Sequence, residues 1–135
     1  MLNSDENNVS LFFNQSHKFN VKNLNFVNDD EEIEINGHII KCLYLPGHSV
    51  DSMCYLIDDD ILFSGDTVFS VAVGRTDLPT ANTKQLINSL NRILNLDYKL
   101  LFTGHGRPSD KEEQKTNIPK WLNYLKKGEQ LWEKL

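Results

Sequence analysis

The sequence predicts an α/β protein of the layered α+β kind, a mainly antiparallel or mixed sheet with helices on one face. Three observations predict it. Two apolar runs, Met53–Ile57 and Ile61–Ser64, flank the acidic turn Asp58–Asp60, the pattern of a buried β-hairpin. Leu86, Ile87, Leu90, Ile93 and Leu94 recur at helical spacing within Thr80–Asn95. Three apolar runs each lead into a glycine-flanked residue with metal-ligand chemistry: Pro46-Gly47-His48-Ser49, Gly65-Asp66-Thr67 and Gly104-His105-Gly106.

Residues 1–23 form a polar, Asn-rich segment with a short helix expected around Val9–Asn14 and His17 in a solvated loop. From residue 24 to residue 45 the chain reads as strands. Ile33 and Ile35 alternate with Glu32, Glu34 and Asn36, the period of a half-buried strand. Asn36-Gly37 then signals a tight hairpin turn, with His38 exposed in it and Ile39–Leu45 returning. Proline and glycine force a sharp loop at residues 46–49, so His48 leaves the sheet at its rim. Thr67–Pro79 is a loop punctuated by Gly74. The helix over Thr80–Asn95 can take its cap from Thr80 or Asn82. Lys99–Thr103 is a buried strand that feeds His105, and Arg107–Asp110 is a turn and cap. A charged helix starts over Lys111–Thr116. A C-terminal helix over residues 118–135 follows, with Trp121, Leu122, Leu125, Leu131 and Trp132 on one side, and Pro119 either interrupts the run or sits in its first turn.

The 135 residues suffice for one domain with a hydrophobic core. A net charge of −5 argues against non-specific nucleic-acid binding. No apolar run reaches bilayer-spanning length and the polar start is no signal peptide, so no membrane role is expected. Cys42 and Cys54 lie in apolar runs and read as buried thiols of a reducing compartment, which points to a cytoplasmic location.

Leu45-Pro46-Gly47-His48-Ser49, Phe63-Ser64-Gly65-Asp66-Thr67, Gly74-Arg75-Thr76-Asp77-Leu78-Pro79 and Thr103-Gly104-His105-Gly106 resemble, in this order, the later motifs of the metallo-β-lactamase superfamily. The glyoxalase II-like hydrolases of that superfamily are the best match. The resemblance covers roughly residues 1–122, with His48 and Asp66 separated by 18 positions and Asp66 and His105 by 39. It implies the second half of a four-layer αββα sandwich with a two-metal, zinc-type centre at one edge of the sheets. His48 and His105 would each ligate a metal and Asp66 would bridge both, as ligand and catalytic residue. A metal-activated water would then attack a small thioester or ester. Arg75, in the GRTD element, would contact an anionic part of the substrate, or else pair with Asp77 or the sheet rim. That element also resembles the iron-dependent persulfide dioxygenases of the superfamily, so iron is the alternative metal.

The family's first motif, His-x-His-x-Asp-His, does not occur in the sequence. The expectation is therefore one partial domain over residues 1–135, incomplete as a catalyst. Half a sandwich would leave an apolar sheet face and a strand edge to be covered, by self-association or by a companion chain supplying the missing half. A non-catalytic truncated homologue or interaction module is the competing expectation.

Overall fold

The computed structural model describes residues 22–132; the expected helix around Val9–Asn14 and the loop position of His17 lie outside them. The described chain forms β1 (Glu32–Ile35), β2 (His38–Tyr44), β3 (Met53–Ile57), β4 (Ile61–Gly65), α1 (Thr83–Asn95), β5 (Leu100–Thr103), β6 (Ser109–Asp110) and α2 (Lys111–Trp132). The six strands make one sheet in chain order. Neighbours are antiparallel except β4 and β5, which run parallel because α1 returns the chain between them.

Local chemistry sets the turns. Asn36 and Gly37 both take positive φ, 53° and 83°, as the two-residue hairpin between β1 and β2 demands. Asp58 and Asp59 do the same at 51° between β3 and β4, a conformation that short polar side chains tolerate. The Asp58 carboxylate contacts His38 Nδ1 at 2.6 Å and accepts from Ile39 N at 2.9 Å. His38 is thus exposed, as the sequence suggested, but tied to the neighbouring turn. These contacts, His38 first, hold the Asp58 carboxyl below its usual range.

Helix α1 starts at Thr83, later than the periodicity suggested, because Asn82 takes the cap: its side chain accepts from Gln85 N at 3.0 Å. Helix α2 opens on a capping box. Asp110 Oδ1 accepts from Glu113 N at 2.8 Å, and Glu113 Oε2 accepts from Asp110 N at 3.4 Å. It then runs unbroken through Pro119, so one helix stands where two were expected. Pro119 and Lys115 are both exposed, so the carbonyl that loses its amide partner to proline can be solvated. The side chains of Leu131 and Trp132 lie outside those described.

Both helices pack on one face of the sheet. Leu43, Leu45, Cys54, Leu56, Leu62 and Leu101 meet Leu86, Leu90 and Ile93 of α1 and Ile118 and Leu122 of α2 in a single buried cluster. Cys54 lies opposite Leu43 across β2 and β3, so Cys42 projects to the other face and the two thiols stay free. Burial pushes the Cys54 thiol up to about 12. The other face of the sheet carries Tyr44, Tyr55, Phe63 and Leu100, each about 40% exposed, with Phe63 stacked on Phe102 at 5.4 Å.

Candidate metal centre

Each of the three loops at the strand ends is held by packing that only glycine permits. The loop after β2 is clamped by α1: Ser89 Oγ donates to Pro46 O at 2.7 Å and Asn82 N donates to Gly47 O at 2.8 Å. The buried Thr67 hydroxyl also faces Leu45 O, tying this loop to the one after β4. A Cβ on Gly74 would lie 2.3 Å from Asp66 O and 2.8 Å from His48 Cβ. A Cβ on Gly104 would lie 2.1 Å from Asp66 Oδ1. Gly104 N donates to Gly65 O at 2.7 Å and fixes the His105 loop against the Asp66 loop.

These constraints bring the three candidate ligands together. His48 Nε2 lies 3.9 Å and His105 Nε2 3.5 Å from the same oxygen, Asp66 Oδ2. Two ligands of one tetrahedral zinc, each bonded at about 2.0–2.1 Å, stand roughly 3.4 Å apart. The spacing therefore suits donors that share an ion or flank a bridged pair. His48 Nδ1 lies 3.0 Å from Arg75 O. A ring N–H donated there leaves the Nε2 lone pair facing Asp66, the orientation that a ligating histidine takes from its outer partner. Exposure rises across the site, from 21% at His48 through 36% at Asp66 to 79% at His105, so the centre opens on the His105 side.

Two imidazoles and a carboxylate form a donor set that zinc and iron both accept. They fit part of a coordination shell. Among the described residues no group of three or more His, Cys, Asp and Glu forms a cage that could hold an ion by itself.

Arg75 meets the site through its backbone, and its side chain takes the Asp77 pairing that the sequence left open. Its carbonyl reaches His48, while its guanidinium forms a two-pronged pair with Asp77 at 2.6 and 2.5 Å. That pair holds the Asp77 carboxyl down at about 2.

Two residues that the sequence reading passed over also bear on the site. Gln114 and Asn117 are buried in α2 and reach the loop after Asp66. Their signal was present: two amides four and one positions before Ile118, on the face that Ile118 and Leu122 bury.

A mixed sheet is backed by two helices, and His48, Asp66 and His105 converge from three strand ends over one edge, which defines an α+β protein. A family model described as the metallo-beta-lactamase superfamily matches residues 8–105, and the chain belongs to that superfamily. It is similar to a probable metallo-hydrolase of Methanocaldococcus jannaschii, 35% identical over 113 residues, covering 81% of this chain and 53% of the relative. It is similar to the hydroxyacylglutathione hydrolase of Prochlorococcus marinus, 39% identical over 75 residues, covering 50% of this chain and 29% of that enzyme. Among solved structures it resembles the B3 metallo-beta-lactamase BLEG-1, with a TM-score of 0.75 and 26% identity over 86% of this chain and 56% of that one. The chain thus spans about half the length, or less, of the curated relatives it matches. No helix among the described residues is long and apolar enough to cross a membrane.

Proposed function

We propose that this chain supplies His48, Asp66 and His105 to the metal centre of a hydrolase that acts on a small thioester or ester. The observation that carries this reading is the convergence of two imidazoles on one oxygen of Asp66. Superfamily membership and likeness to a hydroxyacylglutathione hydrolase support the reaction class. Zinc bound there would supply Lewis acidity and a water of lowered pKa. The chain's own residues prepare the site. Arg75 O fixes the ring of His48 with Nε2 turned inward. Asp66 offers Oδ2 to both rings while Oδ1 rests against Gly104, where no side chain would fit. His105 borders the open side, where substrate would enter. Arg75 is the substrate contact in this reading, its exposed guanidinium exchanging Asp77 for an anionic group of the substrate.

Three donors are fewer than two metals need, and the matched parts cover only 53% and 29% of two of the relatives. The remaining ligands would arrive with a companion polypeptide whose own sheet covers the apolar face of Tyr44, Tyr55, Phe63 and Leu100. Sedimentation should show the chain alone as a monomer that binds a hydrophobic dye, with the dye released when the companion is added. A stable dimer that excludes the dye would put a second copy there instead.

The activity test is turnover of a thioester panel by the zinc-loaded, completed protein, with Asp66→Ala beside it. Loss of turnover in Asp66→Ala is expected, and unchanged turnover would sink the proposal. A second reading, a non-catalytic homologue, is favoured by the lack of a self-sufficient cage among the described residues. In that case replacing His48 and His105 together by alanine would leave melting temperature and metal content unchanged.

A further inference from the structure

Four consecutive carbonyls of the loop after Asp66 are all taken by side chains of α2. Gln114 Nε2 donates to Phe69 O at 3.1 Å and to Ser70 O at 3.3 Å. Asn117 Nδ2 donates to Phe69 O at 3.1 Å and to Ala72 O at 3.5 Å. Trp121 Nε1 donates to Val71 O at 3.0 Å. Positions 114, 117 and 121 fall on one helical face. Because these partners are all acceptors, the amide NH2 groups of Gln114 and Asn117 must be the atoms that face them. Gln114 Nε2 also donates to the buried Ser109 Oγ at 2.8 Å, and its Oε1 accepts from Asn117 Nδ2 at 3.0 Å. Ser109 begins β6, the strand that follows the His105 loop. Gln114 is fully buried, and its bonds to Ser70 O, Ser109 Oγ and Asn117 Nδ2 are sheltered from water.

One side chain therefore touches both loops of the centre: the stretch that follows Asp66 and the strand that ends the His105 turn. The same loop sets the Phe69 ring 6.1 Å from the His105 ring. We propose that Gln114, with Asn117 beside it, is a positioning residue that sets the separation of Asp66 and His105. It acts through the backbone and touches neither ligand. The inference rests on reading those two residues as ligands.

Its test is cobalt affinity of the protein completed by its companion polypeptide, followed by the visible absorption of the bound ion, together with amide hydrogen exchange of this chain. Gln114→Leu keeps the side-chain bulk and removes the donors. It should weaken cobalt binding about tenfold or more and speed exchange in residues 66–73 and 104–109 together. Trp121→Phe removes one bond at the loop tip and should change cobalt affinity less than threefold. Leu56→Ala, in the core on β3, serves as the control for general destabilisation: it should lower the melting temperature and leave affinity within about threefold. Equal affinity loss in Leu56→Ala and Gln114→Leu would overturn the proposal, as would unchanged affinity in Gln114→Leu. If Gln114→Leu does not fold, Asn117→Ala takes its place with the same two readouts. If the completed, unmutated protein takes up no cobalt, the ligand reading fails and exchange alone decides. Faster exchange in both loops would then uphold the clamp, and a change in only one would refute it.

Discussion

Gly47→Ala puts the packing that presents His48 to a direct test. A Cβ at position 47 would lie 2.3 Å from Leu86 N and 2.4 Å from Leu86 Cα. Ordinary contact is about 3.5 Å or more, so more than an ångström of overlap must be relieved. Neither side can relieve it by a rotamer change, because the atoms met are helix backbone. Gly47 also sits at φ 139°, where an L side chain is strained. Overpacking costs about 1–3 kcal/mol and the backbone strain about 1–2 more. A net loss of roughly 3 kcal/mol is large against a stability of about 5–15 kcal/mol. For a chain of this size it lowers the melting temperature by roughly 10–15 °C. Circular dichroism at 222 nm against temperature reads it. Gly128→Ala is the internal counterpart. Gly128 lies within α2 with nothing within 4 Å of an added Cβ, so alanine there should stabilise by about 0.5–1 kcal/mol. If Gly47→Ala melts within about 3 °C of the unmutated chain, the close approach of loop and helix is not what holds His48.

Three further outcomes follow from the framework around the site. Arg92 Nη1 and Nη2 reach Asp29 and Asp30 at 2.8 Å each, and Arg92 holds the Asp29 carboxyl below its usual range. A depressed carboxyl stabilises the fold above its unfolded value near 3.9 and loses that contribution as pH falls through the folded value. Arg92→Ala should therefore cost about 1 kcal/mol between pH 5 and 7, a figure kept small by partial exposure, with the gap to the unmutated chain closing below about pH 4 in urea titrations. Lys111 Nζ donates to the carbonyls of Ile93, Leu94 and Leu96 at the end of α1 and lies over the Tyr98 ring. Lys111→Met should cost about 1–2 kcal/mol in the same titration, and a neutral result would show that water serves those carbonyls equally well. The buried Cys54 thiol should resist a disulfide reagent at pH 8 in the folded chain and react at once in denaturant, whereas rapid native labelling would contradict its burial.

Elements written as local patterns were legible in the sequence. The β3–β4 hairpin, the Asn36-Gly37 turn and the apolar stripe of α1 rest on neighbours in the chain, and the structure has them close to where the pattern put them. Placing His48, Asp66 and His105 at three strand ends was also a local inference. Their approach to a single carboxylate oxygen was not, because it depends on β4 and β5 lying side by side in parallel, a pairing that no stretch of sequence encodes. Long-range partners account for the other differences. Arg75 has its guanidinium on Asp77 two residues away, but its contribution to His48 is a backbone carbonyl, invisible in residue type. Ser109–Asp110 read as a turn and became a short strand because β5 offered an edge. Pro119 suggested a break that α2 does not make, since the helix is anchored on either side by Gln114 and Ile118 in the interior and by Trp121 on the loop.

The central claim is that His48, Asp66 and His105 act on one metal centre. Zinc titration by isothermal calorimetry tests it most directly, on the protein completed by its companion polypeptide, with this chain unmutated, as Asp66→Ala or as His48→Ala. Asp66 Oδ2 faces both imidazoles, so the account expects zinc uptake by the unmutated protein, at least a tenfold loss of affinity in His48→Ala, and no measurable uptake in Asp66→Ala. Equal zinc affinity in all three proteins, or none in the unmutated protein, would contradict it.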